Sequence, residues 1–178
     1  MADEFRVPMS QPAFDSETEN YMLDVIKSGW WSQGKKTELF EKNLSEYFSS
    51  NVVAVNNGTS AITAALLAHG IKAGDKVVVP DYTFIATSSA AKIIGAEVLV
   101  ADVDPNTLNV KLESIEKLVK QYDVKAVIVV DMAGLPLNLE PIIELSKRYK
   151  FVLIEDAAQA IGSEYKNKKI GSFEHTTT

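Results

Sequence analysis

The sequence contains no cysteine. Disulfides, thiolate catalysis and cysteine-based zinc sites are therefore excluded, and the absence fits a reducing cytosol. Histidine is nearly absent as well, with only His69 and His175. His69 falls late in an expected helix and reads as a surface or packing residue. His175, in Glu174-His-Thr-Thr-Thr178, reads as terminal. Neither supports a Ser–His–Asp relay. Basic residues are outnumbered, 18 Lys and Arg against 24 Asp and Glu, for a net charge of −6. That balance, with no Lys/Arg cluster, argues against nucleic-acid binding. No apolar run approaches the ~18 residues that span a bilayer, and Met1-Ala-Asp-Glu-Phe-Arg6 is charged, unlike a signal peptide. The expectation is a cytoplasmic chain with neither a membrane nor a nucleic-acid partner. GxGxxG and GxxxxGK[ST] are both missing, so dinucleotide and P-loop readings lack their fingerprints.

What the sequence does have is an ordered alternation of apolar runs. Residues 1–15 read as irregular, broken by Pro8 and Pro12. A helix is expected over 16–28, capped by Ser16 and closed by Gly29. A loop follows over 30–34 and a second amphipathic helix over 37–49. From Asn51 onward, strands are expected at 52–55, 76–79, 97–101, 124–130 and 151–154. Helices at 60–69, 84–94, 112–121 and 139–149 separate them. Continuous Val/Ile runs mark strands covered on both faces, and repeated βα units imply a mostly parallel, doubly wound sheet in an α/β domain. The 178 residues suffice for one domain with a real core.

Ligands of such sheets bind beyond the carboxyl ends of the strands, and several polar clusters fall there. Phe151-Val-Leu-Ile-Glu155-Asp156-Ala-Ala-Gln159 ends a strand in two carboxylates, with an amide three residues on. Glu155 and Asp156 point to opposite faces. Gly58, Thr59 and Ser60 open a helix after the first expected strand. The glycine permits close backbone approach, and hydroxyls beside free helix amides suit phosphate; an ordinary Ser/Thr helix cap is the plain alternative. Phe84, after Pro80-Asp-Tyr-Thr83, can stack on a planar ring or simply pack in the core. Asp102 and Asp104 read as turn and capping residues, with a metal site as the sharper alternative. Asp131, ending another strand, faces a ligand or caps its turn. A carboxylate such as Asp156 can hold a pyridinium nitrogen in its protonated form; a structural salt bridge is the alternative.

Six segments in one order carry a resemblance: Ser28-Gly-Trp-Trp-Ser-Gln-Gly34, Asn57-Gly-Thr-Ser-Ala61, Pro80-Asp-Tyr-Thr-Phe-Ile-Ala-Thr87, Asp102-Val-Asp-Pro-Asn-Thr107, Glu155-Asp-Ala-Ala-Gln159 and Gly171-Ser-Phe173. From about Val7 to Phe173 the chain resembles the DegT/DnrJ/EryC1/StrS family of sugar aminotransferases, enzymes of aminotransferase fold type I that depend on pyridoxal 5'-phosphate (PLP). The resemblance implies a three-layer αβα large domain, truncated, with the C-terminal small domain absent. It implies a homodimer that moves an amino group, with glutamate the usual donor, to a keto sugar carried on a nucleotide. Gly58, Thr59 and Ser60 would cradle the PLP phosphate, Phe84 would stack on the ring, Asp156 would partner the pyridine nitrogen and Gln159 would lie beside the phenolic oxygen. Trp31 and Gly34 match a loop near substrate. The family's Schiff-base lysine would lie beyond Thr178, so no catalytic residue is assigned within the chain; Lys166, Lys168 and Lys169 precede Gly171 and do not match it. Where family members often have His-Leu-Tyr-Gly, this chain has Asp131-Met-Ala-Gly134. A PLP-dependent nucleotide-sugar dehydratase of the same fold, in which histidine replaces the lysine, is one alternative. A non-catalytic ligand-binding α/β module is the other.

Overall fold

The structure, a computed structural model, describes residues 11–178. Pro8 and the rest of the expected irregular stretch before residue 11 lie outside the described residues. Residues 11–15 have no regular structure and lead into α1 (Ser16–Ser28). Asp15, rather than Ser16, is the cap. Its extended backbone lets Oδ1 accept both the Thr18 N–H and the Thr18 hydroxyl at 2.9 Å. Gly29 ends α1 in the left-handed region, φ 68°. Helix α2 (Lys35–Phe48) begins two residues before the expected Thr37, directly after the extended Gly34.

The strand expected at 52–55 does not form. Its amides are taken instead by α2 side chains: Val52 N–H donates to Ser45 Oγ at 3.1 Å and Ala54 N–H to Glu41 Oε1 at 2.8 Å. Val53 is left 78% exposed. Valine-rich composition favours a pleated, half-buried surface, and among the described residues no neighbouring strand supplies one.

The remaining βα pattern folds as expected. In chain order come α3 (Gly58–Ala68), β1 (Lys76–Pro80), α4 (Ala86–Ile93), β2 (Glu97–Ala101), α5 (Leu112–Gln121), β3 (Val124–Val130), a 3₁₀ turn at Met132–Gly134, α6 (Leu139–Tyr149) and β4 (Val152–Asp156). A short antiparallel hairpin, β5 (Glu164–Tyr165) and β6 (Lys168–Lys169), precedes β7 (Thr176–Thr177). The main sheet runs β2-β1-β3-β4-β7 with every pairing parallel.

Side-chain alternation divides the core into two layers. On one face Val77, Val79, Ile128 and Ile154 pack with Ile62 and Leu66 of α3 and Ala90 and Ala91 of α4. On the other face Val78, Val127, Val129 and Leu153 pack with Ile115 and Val119 of α5 and Ile142 and Leu145 of α6. Each fully buried Leu or Ile contributes about 1.5–3 kcal/mol. The result is the expected three-layer αβα domain. It gathers the carboxyl ends of β1, β3, β4 and β7 along one edge.

Candidate active site

The opening of α3 meets that edge. Asn57 caps it from an extended backbone, accepting the Ser60 N–H on Oδ1 at 2.9 Å. Because Asn57 performs the capping, the Thr59 and Ser60 hydroxyls are released from it, which removes the plain alternative for those two residues. The first amides of any helix lack intrahelical partners and carry the positive end of its dipole. A Cβ built on Gly58 would meet nothing within 4 Å, so the space in front of the helix is open. Thr59 and Ser60 line a hollow of about 500 Å³ with Asn57, Thr63 and Ile93.

The β1–α4 connection brings two more groups. Phe84 is 70% exposed, which rules out the core-packing alternative. Thr87, the second residue of α4, is fully buried. Its hydroxyl lies 2.8 Å from that of Thr83 and donates to Asp156 Oδ2 at 3.3 Å. Since an ionised carboxylate only accepts, the proton order is Thr83 to Thr87 to Asp156. Asp156 Oδ1 accepts the Ala158 N–H at 3.2 Å. Asp156 is 8% exposed and lies on the face covered by α3 and α4, since it alternates with Ile154. Burial raises its pKa, while the Ala158 amide and Thr87 hydroxyl act the other way. Among the described residues no Lys, Arg or His forms an ion pair with it. Asp156 is therefore a held, buried carboxylate without a cation, and the salt-bridge alternative has no partner in the described chain.

Gln159 sits in the turn after β4, its Oε1 accepting the Ala133 N–H at 2.8 Å. That fixes the amide with its NH₂ group free to donate. The turn it grips is tight, with Ala133 at φ 53° and Gly134 at φ 80°. A Cβ at Gly134 would come within 3.0 Å of the Gln159 carbonyl oxygen.

Glu155 does point to the opposite face, but it is no bystander. It is fully buried, and its Oε2 accepts from His175 Nε2 at 2.9 Å and from the Thr177 hydroxyl at 3.2 Å. The His175 side chain is 6% exposed, so its reading as terminal is corrected: β7 pairs with β4 and carries the residue inward. His69 Nε2 also reaches β7, 2.7 Å from Thr176 Oγ1. Asp131 faces no open space. It is fully buried, and its Oδ1 accepts the Leu137 N–H at 2.9 Å.

The other predicted residues stand elsewhere. Trp31 and Gly34 line a separate hollow of about 680 Å³ between α1 and α2, with Trp31 77% exposed. Asp104 Oδ1 accepts the Asn106 and Thr107 amides as a turn residue, which holds its pKa down. Among the described residues no group of His, Asp and Glu is placed to hold a metal. Lys166 pairs with Glu140 at 2.6 Å, and Lys169 lies over the Tyr47 ring, both on the hairpin side. Two residues here escape sequence reasoning. Thr87 was visible only as a hydroxyl four residues after Thr83, the spacing that puts two side chains on one helical face. His175 carried no local signal, because its burial depends on a long-range strand pairing.

The model of the DegT/DnrJ/EryC1/StrS aminotransferase family matches residues 12–178, nearly the whole described chain. The chain belongs to this family. Among its DegT/DnrJ/EryC1/StrS relatives, GDP-perosamine synthase of Caulobacter vibrioides is 36% identical over 174 residues, covering 97% of this chain and 47% of the relative. The solved aminotransferase from Psychrobacter cryohalolentis superposes with a TM-score of 0.84 at 35% identity, covering 92% of this chain and 42% of that one. The Bacillus subtilis protein NtdA, solved with bound cofactor PMP, superposes with a TM-score of 0.77 at 34% identity, covering 81% and 33%. The chain thus spans a little under half the length of the curated relatives it matches. No described helix is long and apolar enough to cross a membrane.

Proposed function

We propose that this chain holds the PLP ring and phosphate in an aminotransferase that aminates the keto sugar of a nucleotide sugar. Asp156 carries this reading. A buried carboxylate held by a hydroxyl and an amide, with no cation paired to it among the described residues, suits a protonated ring nitrogen. The rest of the edge fits the same group. The α3 amides and the Thr59 and Ser60 hydroxyls would hold the phosphate, Phe84 would supply a stacking face, and the Gln159 NH₂ group would donate to the phenolic oxygen. Bound PLP supplies an electron sink for charge that develops at the carbon losing its proton. Asp156 keeps the ring nitrogen protonated, so that the sink stays deep. Thr87 and the Ala158 amide pull the Asp156 pKa down against its burial and aim the carboxylate.

Family membership supports amino transfer as the reaction, and the nucleotide-sugar product in the name of the Caulobacter relative supports the acceptor class. Glutamate as donor, Trp31 and Gly34 as substrate contacts, a second copy of the chain completing the site, and a cytoplasmic location are parts of the same proposal. The test is titration of the purified protein with PLP, followed by absorbance, alongside Asp156→Ala and Asp156→Asn. Loss of a buried charge-assisted contact of about 1.5–3 kcal/mol predicts at least tenfold weaker binding in both variants. Tight binding of a nucleotide sugar with no PLP saturation, or equal PLP affinity in all three proteins, would overturn the proposal.

A further inference from the structure

Two carboxyl oxygens at the ends of β3 and β4 are buried without a hydrogen-bond partner among the described residues: Asp131 Oδ2 and Glu155 Oε1. The register places both side chains on one face. Val129 pairs with Glu155, and Asp131 follows Val129 by two residues, its N–H bonded to the Asp156 carbonyl at 3.1 Å. The second oxygens are committed, Asp131 Oδ1 to the Leu137 amide and Glu155 Oε2 to His175 and Thr177. Two ionised carboxylates in this dry site repel strongly, which favours a proton held between them. A single proton on Asp131 resolves the conflict. The Asp131 hydroxyl then donates to Glu155 Oε1, and both orphaned oxygens are satisfied by one bond. Glu155 remains the carboxylate that accepts from His175 Nε2–H.

We propose that Asp131 and Glu155 share one buried proton and, with His175, form a positioning cluster that fixes two pieces of the ligand edge. One is the Met132–Gly134 turn, whose Ala133 amide grips Gln159. The other is β7, which Glu155 ties to the sheet through His175 and Thr177. The second role stands on geometry alone, and only the role at Gln159 rests on the PLP reading. The charged group facing Asp131 is Glu155 of β4, the Asp156 charge acts on it from the opposite face of the sheet, and His175 of the β7 segment faces Glu155. Burial first, then the Glu155 charge, push the Asp131 pKa up to about 7. The folded chain thus binds a proton that the unfolded chain releases near 3.8. Its contribution to stability is complete below that value and is lost as pH rises through about 7.

Infrared difference spectroscopy and urea unfolding across pH test the proton without any cofactor. The expected result is a protonated-carboxyl carbonyl band at pH 6 that fades above about 7, disappears in Asp131→Asn and survives in Asp156→Asn. The asparagine amide can donate to Glu155 Oε1 permanently. Asp131→Asn is therefore expected to flatten the fall of the urea midpoint between about pH 4 and pH 7, whereas Asp131→Leu lowers the midpoint at every pH. A wild-type spectrum without that band at pH 6 refutes the shared proton, and needs no variant to fold. For the link to Gln159, Asp131→Leu is expected to shift the absorbance of bound PLP and Asp131→Asn to restore it. An unshifted PLP spectrum in Asp131→Leu, with the band gone, overturns the positioning role at Gln159.

Discussion

Replacing Thr87 by valine isolates one atom of the proposed cofactor seat. Valine keeps the branched shape in a fully buried position, so packing changes little while the hydroxyl is lost. That hydroxyl is the middle of the Thr83–Thr87–Asp156 chain. At 3.3 Å its bond to Asp156 is long for a hydroxyl donor, which puts it at the low end of bonds to charged groups, about 1.5 kcal/mol. The loss also raises the Asp156 pKa further, since the Thr87 hydroxyl is one of two groups that lower it. The carboxylate would then be both less ionised and less well aimed. About 1.5 kcal/mol corresponds to roughly a tenfold weaker hold on a protonated ring nitrogen. PLP titration by absorbance reads this directly, with Thr87→Ser as the control that restores the hydroxyl and most of the affinity. Urea unfolding separates a binding effect from a folding one. If Thr87→Val binds PLP as tightly as wild type while Asp156→Asn does not, the hydroxyl has no part in holding Asp156 ionised, and the network described here is incidental.

Two further outcomes follow from the same edge. Asn57→Ala removes the α3 cap and is expected to cost about 1 kcal/mol in urea unfolding, whereas Asn57→Asp or Asn57→Ser, which keep a side-chain acceptor, should lose much less; an alanine variant as stable as wild type would show that the Ser60 amide finds another partner. Gly134→Ala places a Cβ within 3.0 Å of the Gln159 carbonyl at φ 80°, so a loss of at least about 1–2 kcal/mol is expected, measurable as a lowered urea midpoint, together with an altered absorbance of bound PLP.

The parts of the fold that were legible are those whose signal is local. Val124–Val130 and Glu97–Ala101 form strands with the expected bounds, and α5 and α6 span the expected residues. In each, apolar spacing and flanking breakers agree with the burial that results. Val52–Val55 misled because its strand-like composition meets no partner strand among the described residues, and α2 side chains claim its amides. At the site, the strand-end motif put Asp156 at the end of β4 with Gln159 in the turn after it, whereas the opening of α3 was read from a strand over 52–55 that does not form. The hydroxyl behind Asp156 and the histidine behind Glu155 could not be read, because Thr87 and His175 acquire meaning only through contacts 69 and 20 residues away. Asp131 was visible as a strand-end acid, but its buried carboxyl neighbour follows from register, which no single segment encodes.

The order β2-β1-β3-β4-β7 bears on when this site can exist during folding. Strand β1 lies between β2 and β3, so β3 pairs with it across the whole intervening β2–α5 stretch of chain. Pairings between strands so distant in sequence close slowly, because chain entropy is lost before contacts repay it. The Thr83–Thr87–Asp156 chain cannot form before β4 docks, and the Glu155 clamp waits for β7. A ligand that recognises this edge therefore binds only the completed sheet, and by mass action it would draw a slow-folding population toward that state.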